Sequence, residues 1–89
     1  MITRRRIRFT GWVQGVGLRW LARHAAARFD CTGWIRNEGD GSVSMEIQGA
    51  EEAVDQVLAA IEAGRYVRIE STESRTVPPA EGEYGFHTE

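Results

Sequence analysis

Three glycines and an arginine lie within nine residues near the start of the chain, in the stretch from Gly11 to Arg19. Glycine lacks a Cβ atom, so such a stretch can form a tight loop that approaches a ligand closely. A helical pattern begins near Leu18, and the first amides of a helix have no partner inside it. Those N–H groups, the positive end of the helix dipole and the planar guanidinium of Arg19 together suit an anion such as phosphate.

The charge pattern also favours an anionic ligand. Residues 1–29 contain seven arginines and no acid, whereas residues 30–89 contain four arginines and thirteen acids. A helix start normally attracts Asp or Glu, so Arg19 in the first turn is unfavourable unless an anion is bound there. The acidic remainder argues against a broad nucleic-acid surface. The run from Arg4 to Arg6 is expected to form a solvated arm.

The sequence lacks the residues that several kinds of catalysis require. The sequence has no lysine, no G-x-S-x-G motif, one cysteine and two histidines. The spacing of these residues matches no metal site, and Cys31 is expected to be a buried apolar residue. His24 is expected on the protein surface. Trp12, Trp20 and Trp34 are expected to be core or half-exposed packing residues instead of stacking on a ligand.

Hydrophobic periodicity predicts the order β-α-β-β-α-β with a possible fifth strand. The predicted elements are a strand around Ile7 and Phe9, a helix over 18–29, strands over 32–37 and 43–48, a helix over 50–61, a strand over 66–72 and a short edge strand over 84–88. Each strand has one apolar face and each helix one apolar stripe. We therefore expect a ferredoxin-like α+β sandwich, with two helices on one face of an antiparallel sheet of four or five strands.

The length of 89 residues fits a single domain spanning residues 1–89. No apolar run approaches the roughly 20 residues that span a bilayer. The arginine-rich start is not followed by the apolar segment of a secretory signal. These features predict a cytoplasmic protein with no membrane association.

Two blocks of sequence resemble signatures of the acylphosphatase family. The stretch from Gly11 to Arg19 reads G-x-V-Q-G-V-x-x-R, and the stretch from Gly33 to Asn37 reads G-W-I-R-N, followed by Asp40-Gly41-x-Val43. The resemblance covers residues 5–62 well and implies the same ferredoxin-like fold. Leu18 stands where the family usually has an aromatic residue, and Gly17 adds a second flexible point to the loop.

The resemblance implies metal-independent hydrolysis of acyl phosphates to a carboxylate and inorganic phosphate. In the family, the matching arginine binds the substrate's phosphate and the matching asparagine positions the attacking water, so Arg19 and Asn37 are the candidate catalytic residues. The candidate phosphate-binding residues are Gly15, Val16, Gly17, Leu18 and Arg19. The expected partners are a small-molecule acyl phosphate and inorganic phosphate, with no cofactor and no metal, and the expected state is a monomer.

Other interpretations remain open at this point. The same fold hosts many functions, so the chain could be a non-catalytic anion-binding or interaction module. Arg19 could be a solvated helix residue and Asn37 a turn residue before the hairpin. Gln14 is expected to make local structural hydrogen bonds. An RNA-binding sheet is disfavoured, because the solvent side of the first strand carries Arg and Thr where stacking aromatic rings would be needed.

Overall fold

The computed structural model describes residues 1–89. Its elements are β1 (Ile2–Trp12), α1 (Leu18–Arg28), β2 (Thr32–Asn37), β3 (Val43–Ala50), α2 (Glu51–Glu62), β4 (Arg68–Val77) and β5 (Phe86–Thr88). The predicted β-α-β-β-α-β order and its fifth strand are confirmed. Neither helix has the length and apolar character needed to cross a membrane.

The strands form one sheet in the order β4-β1-β3-β2-β5. The pairings among β4, β1, β3 and β2 are antiparallel, and β5 is parallel to β2. The predicted ferredoxin-like α+β fold is therefore confirmed, and the fifth strand adds one parallel pairing. That direction arises because residues 78–85 cross from the β4 edge to the opposite edge of the sheet before β5 begins.

The hydrophobic core lies between one face of the sheet and the two helices. Alternating residues of the central strands, among them Ile7, Phe9 and Ile35, are at most 1% exposed. The stripe predicted for the first helix also reaches the core, with Leu18 and Ala22 buried. Cys31 is buried, as predicted, and 4% exposed. Burial of alternate strand positions and of one helix stripe fixes which side chains remain on the opposite face.

The bounds predicted for the fourth strand were wrong. The strand runs from Arg68 to Val77 instead of ending at Thr72, and most of its residues are exposed. It is an edge strand that pairs with β1 through its backbone, so its polar side chains give no apolar alternation to read. The close approach at this pairing requires Gly11, since a Cβ there would lie 2.4 Å from the main-chain oxygen of Arg68.

The solvated arm predicted for Arg4 to Arg6 was also wrong. These residues lie inside β1, and Arg4 is only 4% exposed. Its guanidinium donates to Glu46 at 2.8 Å and forms two bonds to Glu83, of 2.8 and 3.1 Å. Glu83 belongs to the crossing segment 78–85, which Gln48 also holds through two hydrogen bonds to the main chain of Ala80. The arginine thus fastens this segment to the open face of the sheet.

Candidate active site

The loop between β1 and α1 has a backbone that favours glycine at two positions. Gly15 and Gly17 have φ angles of 71° and 82°, in the left-handed region. Gly17 is also the N-cap residue of α1, and no side chain caps this helix start. A residue with a Cβ atom would be strained at either position. The glycine-rich stretch therefore sets the path of the loop as it enters the helix.

The amides of this loop are free to bind a ligand. Those of Gly15, Val16 and Gly17 donate no hydrogen bond within the protein, and the first helical bond runs from the amide of Leu21 to the oxygen of Gly17 at 3.0 Å. No acidic residue lies in the first turn of α1. Several unpartnered N–H groups therefore lie next to the positive end of the helix dipole, an arrangement that suits an oxyanion.

Arg19 stands in the first turn of α1 without an acidic partner. Its Nη1 donates to the main-chain oxygen of Glu89 at 3.2 Å. It takes part in none of the salt bridges of the molecule. Most of its five N–H donors therefore remain available, and a guanidinium can present two of them to one anion.

Asn37 is the last residue of β2 and carries an unpartnered polar atom. Its Oδ1 is buried, yet it accepts no hydrogen bond. A buried acceptor without a donor costs about 1–3 kcal/mol relative to a paired one. Such groups are few in folded proteins, and each indicates either strain or a functional role.

Arg19 and Asn37 line the same cleft, although 18 positions of sequence separate them. The volume of this cleft is about 310 Å³, and its lining residues are Val13, Gly15, Gly17, Leu18, Arg19, Trp20, Arg23, Asn37 and Thr88. Of the predicted phosphate-binding residues, Val16 alone does not line the cleft, because its side chain packs against the core. Leu18 is 1% exposed, so its side chain also belongs to the core.

Sequence reasoning missed four residues of the cleft: Val13, Trp20, Arg23 and Thr88. Arg23 lies four residues after Arg19, a helical spacing that places the two side chains on one face. This spacing was a usable signal. Thr88 reaches the cleft through the pairing of β5 with β2, which nothing in the local sequence indicates. Trp20 was expected in the core or in half-exposed packing, and it lies outside the core, 60% exposed.

Gln14 connects the loop to the hairpin that follows β2. Its Nε2 donates to the main-chain oxygens of Glu38 and Ser42, at 2.8 and 2.9 Å. The structural role predicted for Gln14 is therefore confirmed, but its hydrogen bonds are long-range in sequence and not local. They hold the loop next to the end of β2, where Asn37 lies.

A second cleft, of about 450 Å³, lies on the open face of the sheet, and its lining charges are paired except for Arg75. Arg8 donates to Asp40 at 2.8 Å and to Glu73 at 3.4 Å. Hydrogen bonds from Ser42 and then from Arg8 hold the pKa of Asp40 well below its usual range. Hydrogen bonds from Ser44 and Arg36 likewise lower the pKa of Glu38. These carboxylates therefore stay charged near neutral pH and are poor proton acceptors.

The first cleft suits binding and orientation better than covalent catalysis. No Asp, Glu, His, Cys or Lys lines it, and its one hydroxyl, on Thr88, has no basic side chain beside it except arginine. No group of three His, Cys, Asp or Glu side chains comes together elsewhere in a metal-holding arrangement. The chemistry available is that of amides, guanidinium groups and one asparagine.

Two helices packed on one face of a five-stranded sheet define a ferredoxin-like α+β protein, and its cleft is lined by a glycine loop, arginines and one asparagine. The family model for acylphosphatase matches residues 5–88. The chain is 42% identical over 80 residues to an acylphosphatase of Salinibacter ruber, covering 89% of this chain and 84% of the relative. It is 37% identical over 87 residues to an acylphosphatase of Clostridium acetobutylicum, covering 97% and 96%.

A solved structure agrees with these matches. The crystal structure of acylphosphatase from Bacillus subtilis superposes with a TM-score of 0.89 at 28% identity, covering 99% of this chain and 98% of that one. The chain therefore belongs to the acylphosphatase family of enzymes.

Proposed function

We propose that this protein hydrolyses acyl phosphates to a carboxylate and inorganic phosphate, with the loop and Arg19 binding the phosphate and Asn37 positioning water. The observation that carries the proposal is that Asn37 lines the same cleft as Arg19 and the loop glycines Gly15 and Gly17. Membership of the acylphosphatase family supports the reaction class. The roles given to individual residues are those that the family resemblance implies, and the shared cleft of Arg19 and Asn37 supports them.

The phosphate group would bind to the amides of residues 15–19. These N–H groups lie at the start of α1, and those of residues 15–17 have no competing acceptor within the protein. Arg19 would add two parallel N–H donors to the phosphate oxygens. Because the amides and the guanidinium are held before substrate arrives, they can stabilise charge that develops on the phosphate without reorganising.

Asn37 would hold the attacking water. Its side-chain amide has an acceptor oxygen and two N–H donors, which can orient a water molecule beside the bound phosphorus. The oxygen of water then forms a bond to phosphorus, the bond from phosphorus to the acyl oxygen breaks, and its electron pair leaves with the carboxylate. The proton of water passes to a phosphate oxygen. A carboxylate whose acid has a pKa of about 4 leaves without protonation, so no general acid is required.

Positioning is sufficient for this reaction because the substrate is already activated. Orientation of bound reactants can supply roughly 7–11 kcal/mol of a barrier. Preorganised donors lower the barrier further as charge develops. A mechanism that needs no acid, base or nucleophile from a side chain agrees with a cleft lined by no Asp, Glu, His, Cys or Lys.

The test is hydrolysis of acetyl phosphate and benzoyl phosphate, with p-nitrophenyl phosphate as the unactivated control. We expect release of inorganic phosphate from both acyl phosphates and almost none from the ester. Activity should survive exhaustive chelation with EDTA, and inorganic phosphate should inhibit competitively. Binding of phosphate without any turnover would instead favour the non-catalytic anion-binding module. Activity lost on chelation and restored by Mg²⁺ or Zn²⁺ would contradict the metal-free mechanism.

Three expectations from the sequence stay predictions. They are that residues 1–89 act as one domain, that the protein is a monomer, and that it works in the cytoplasm on small molecules and not on nucleic acid. Size-exclusion chromatography coupled to light scattering measures the second of these directly.

A further inference from the structure

Trp20 is a large apolar side chain at the candidate active site that the reaction described above does not use. It follows Arg19 in the first turn of α1 and lines the same cleft as Arg19 and Asn37. Its side chain is 60% exposed although the core lies directly behind the helix. Trp20 therefore offers an exposed apolar ring beside a candidate catalytic arginine.

The indole is held in place without being buried. Its ring stacks on the imidazole of His24, with ring centroids 3.8 Å apart and an angle of 26° between the planes. His24, itself exposed as predicted, has its Nδ1 3.0 Å from the main-chain oxygen of Trp20. The two rings lie one helical turn apart, so the helix and the stack together limit the motion of Trp20. A preorganised aromatic surface loses little entropy when a ligand packs on it.

We propose that Trp20 binds the acyl group of the substrate, and that the preferred substrates are acyl phosphates with an aromatic or bulky apolar acyl group. This inference rests on the proposed function, because it takes the phosphate to lie between the loop and Arg19. An acyl group attached to that phosphate extends along the cleft, where Trp20 provides an exposed apolar ring. An acetyl group is too small to cover this ring, whereas a benzoyl group can stack on it.

The test compares Trp20→Ala with the unchanged protein on benzoyl phosphate and acetyl phosphate. We expect kcat/KM for benzoyl phosphate to fall about 10-fold, the scale of one lost aromatic stack, while acetyl phosphate changes less than about twofold. Inhibition by inorganic phosphate should be unchanged. Trp20→Phe should recover most of the loss. Alanine is a strong helix former, so the first turn of α1 should remain folded.

Trp12 offers a matched control on the other side of the loop. It is 72% exposed and does not line the cleft, so Trp12→Ala should leave the ratio of the two substrates unchanged. A fall of equal size for benzoyl and acetyl phosphate in Trp20→Ala would overturn the proposal, as would an equal change of the ratio in Trp12→Ala.

A binding measurement separates this inference from the proposed reaction. Phenacylphosphonate and acetonylphosphonate have the spacing of benzoyl and acetyl phosphate but cannot be hydrolysed. We expect the phenacyl compound to bind more tightly to the unchanged protein, by about 5-fold or more, and to lose this advantage in Trp20→Ala. Absence of turnover with this selectivity present would reject the reaction and retain the acyl-binding role. Turnover with equal binding of both phosphonates would retain the reaction and reject the acyl-binding role.

Discussion

The side-chain nitrogen of Gln14 lies 2.8 Å from the main-chain oxygen of Glu38 and thereby joins the glycine loop to the residue that follows Asn37. The same nitrogen donates to Ser42 at 2.9 Å, on the other side of the hairpin turn. One amide therefore spans both sides of the turn and fixes the separation between the loop and the end of β2. In the proposed reaction, phosphate binds at the loop and Asn37 positions water at the end of β2. The separation between loop and strand end therefore sets the distance between phosphate and water.

Removal of this connection should lower both stability and rate. Each carbonyl keeps a backbone partner, since Glu38 N donates to Ser42 O and Gly41 N to Glu38 O. Gln14→Ala should therefore cost only about 1–2 kcal/mol of unfolding free energy, for two hydrogen bonds. Loosening of the loop should reduce kcat on the order of 10-fold or more. Denaturant melts and acyl phosphate kinetics measure the two effects.

Gln14→Glu and Gln48→Ala complete that experiment. The carboxylate in Gln14→Glu has no N–H and would face two carbonyl oxygens, so it should be more harmful than alanine. Gln48 makes a pair of bonds to Ala80 and accepts a third from Arg4, and it does not line the cleft. Its loss should lower stability without changing kcat. Equal kinetic effects of Gln14→Ala and Gln48→Ala would show that general destabilisation is the cause.

Replacement of Asn37 should affect the rate and spare the fold. Its Oδ1 has no partner within the protein, so Asn37→Ala removes no intramolecular hydrogen bond from that atom. We expect kcat to fall by about 10²-fold or more, the scale of one well-placed polar group, with little change in inhibition by phosphate. The melting temperature should stay close to that of the unchanged protein. A variant that keeps its rate, or that loses phosphate binding in proportion, places Asn37 outside the chemistry.

The contribution of Arg19 should depend on the shape of its side chain as well as on its charge. Lysine keeps a positive charge near the loop but replaces the planar fork with one mobile ammonium. Arg19→Lys should therefore retain the fold and some phosphate binding but lose on the order of 10²-fold in kcat/KM. Arg19→Ala should also abolish phosphate binding. Without ligand it should be slightly more stable, by about 0.3–1 kcal/mol, since a cation leaves the positive end of the helix dipole.

Arg28 supplies the control for Arg19. It lies at the other end of α1, is exposed and does not line the cleft. Arg28→Lys should match the unchanged protein in kinetics and in phosphate titration. If Arg19→Lys turns over substrate about as fast as Arg28→Lys, Arg19 acts only through its positive charge and not through the shape of its side chain.

Acid should weaken the fold through the contacts of Arg4. Its hydrogen bonds lower the pKa of Glu83 below the ordinary value of 4.5. The pKa of Glu46 is also lowered, since bonds from Arg4 and Arg6 outweigh the opposing effect of burial. A carboxyl group with a lowered pKa in the folded state stabilises the fold above its unfolded pKa and loses this effect as pH falls through the folded value. Stability should thus be flat near neutral pH and fall below about pH 4.5.

Glu83→Gln should flatten part of this acid-dependent loss. At pH 7 it should cost about 1–3 kcal/mol, the scale of a charge-assisted hydrogen bond. Glu81 lies in the same crossing segment but is exposed and forms no salt bridge. Glu81→Gln should therefore keep the full pH dependence. Melting temperatures measured between pH 3 and pH 7 compare the two variants. If both lose the same stability as pH falls, Glu83 does not contribute to the acid-dependent loss.

Local features of the site could be predicted from the sequence. The glycine loop, the start of α1 and Arg19 are contiguous, so their relationship depends only on backbone conformation and helical geometry. The hairpin from β2 to β3 could also be predicted, because an Asp-Gly turn joins two strands in which apolar and polar residues alternate. The fold class followed from apolar periodicity, since the period reports which side of each element faces the core.

Other features depend on partners distant in sequence. The sequence gives no sign that Arg4 is buried, because its partners Glu46 and Glu83 lie 42 and 79 residues away. The arginine run looked solvated for this reason. The fourth strand was misjudged in a similar way, because its length depends on pairing with β1 and not on its own side chains.

The composition of the cleft likewise depends on the tertiary structure. Local pattern places Asn37 at a strand end, but the antiparallel order of β1, β3 and β2 and the hydrogen bonds of Gln14 bring that end to the loop. Thr88 arrives through the pairing of β5 with β2, and the exposure of Trp20 depends on what packs around α1. Sequence alone determined the glycine loop and the helix start that follows it, because their atoms are neighbours along the chain. Sheet pairing determined the rest of the cleft, because its residues become neighbours only when the strands assemble.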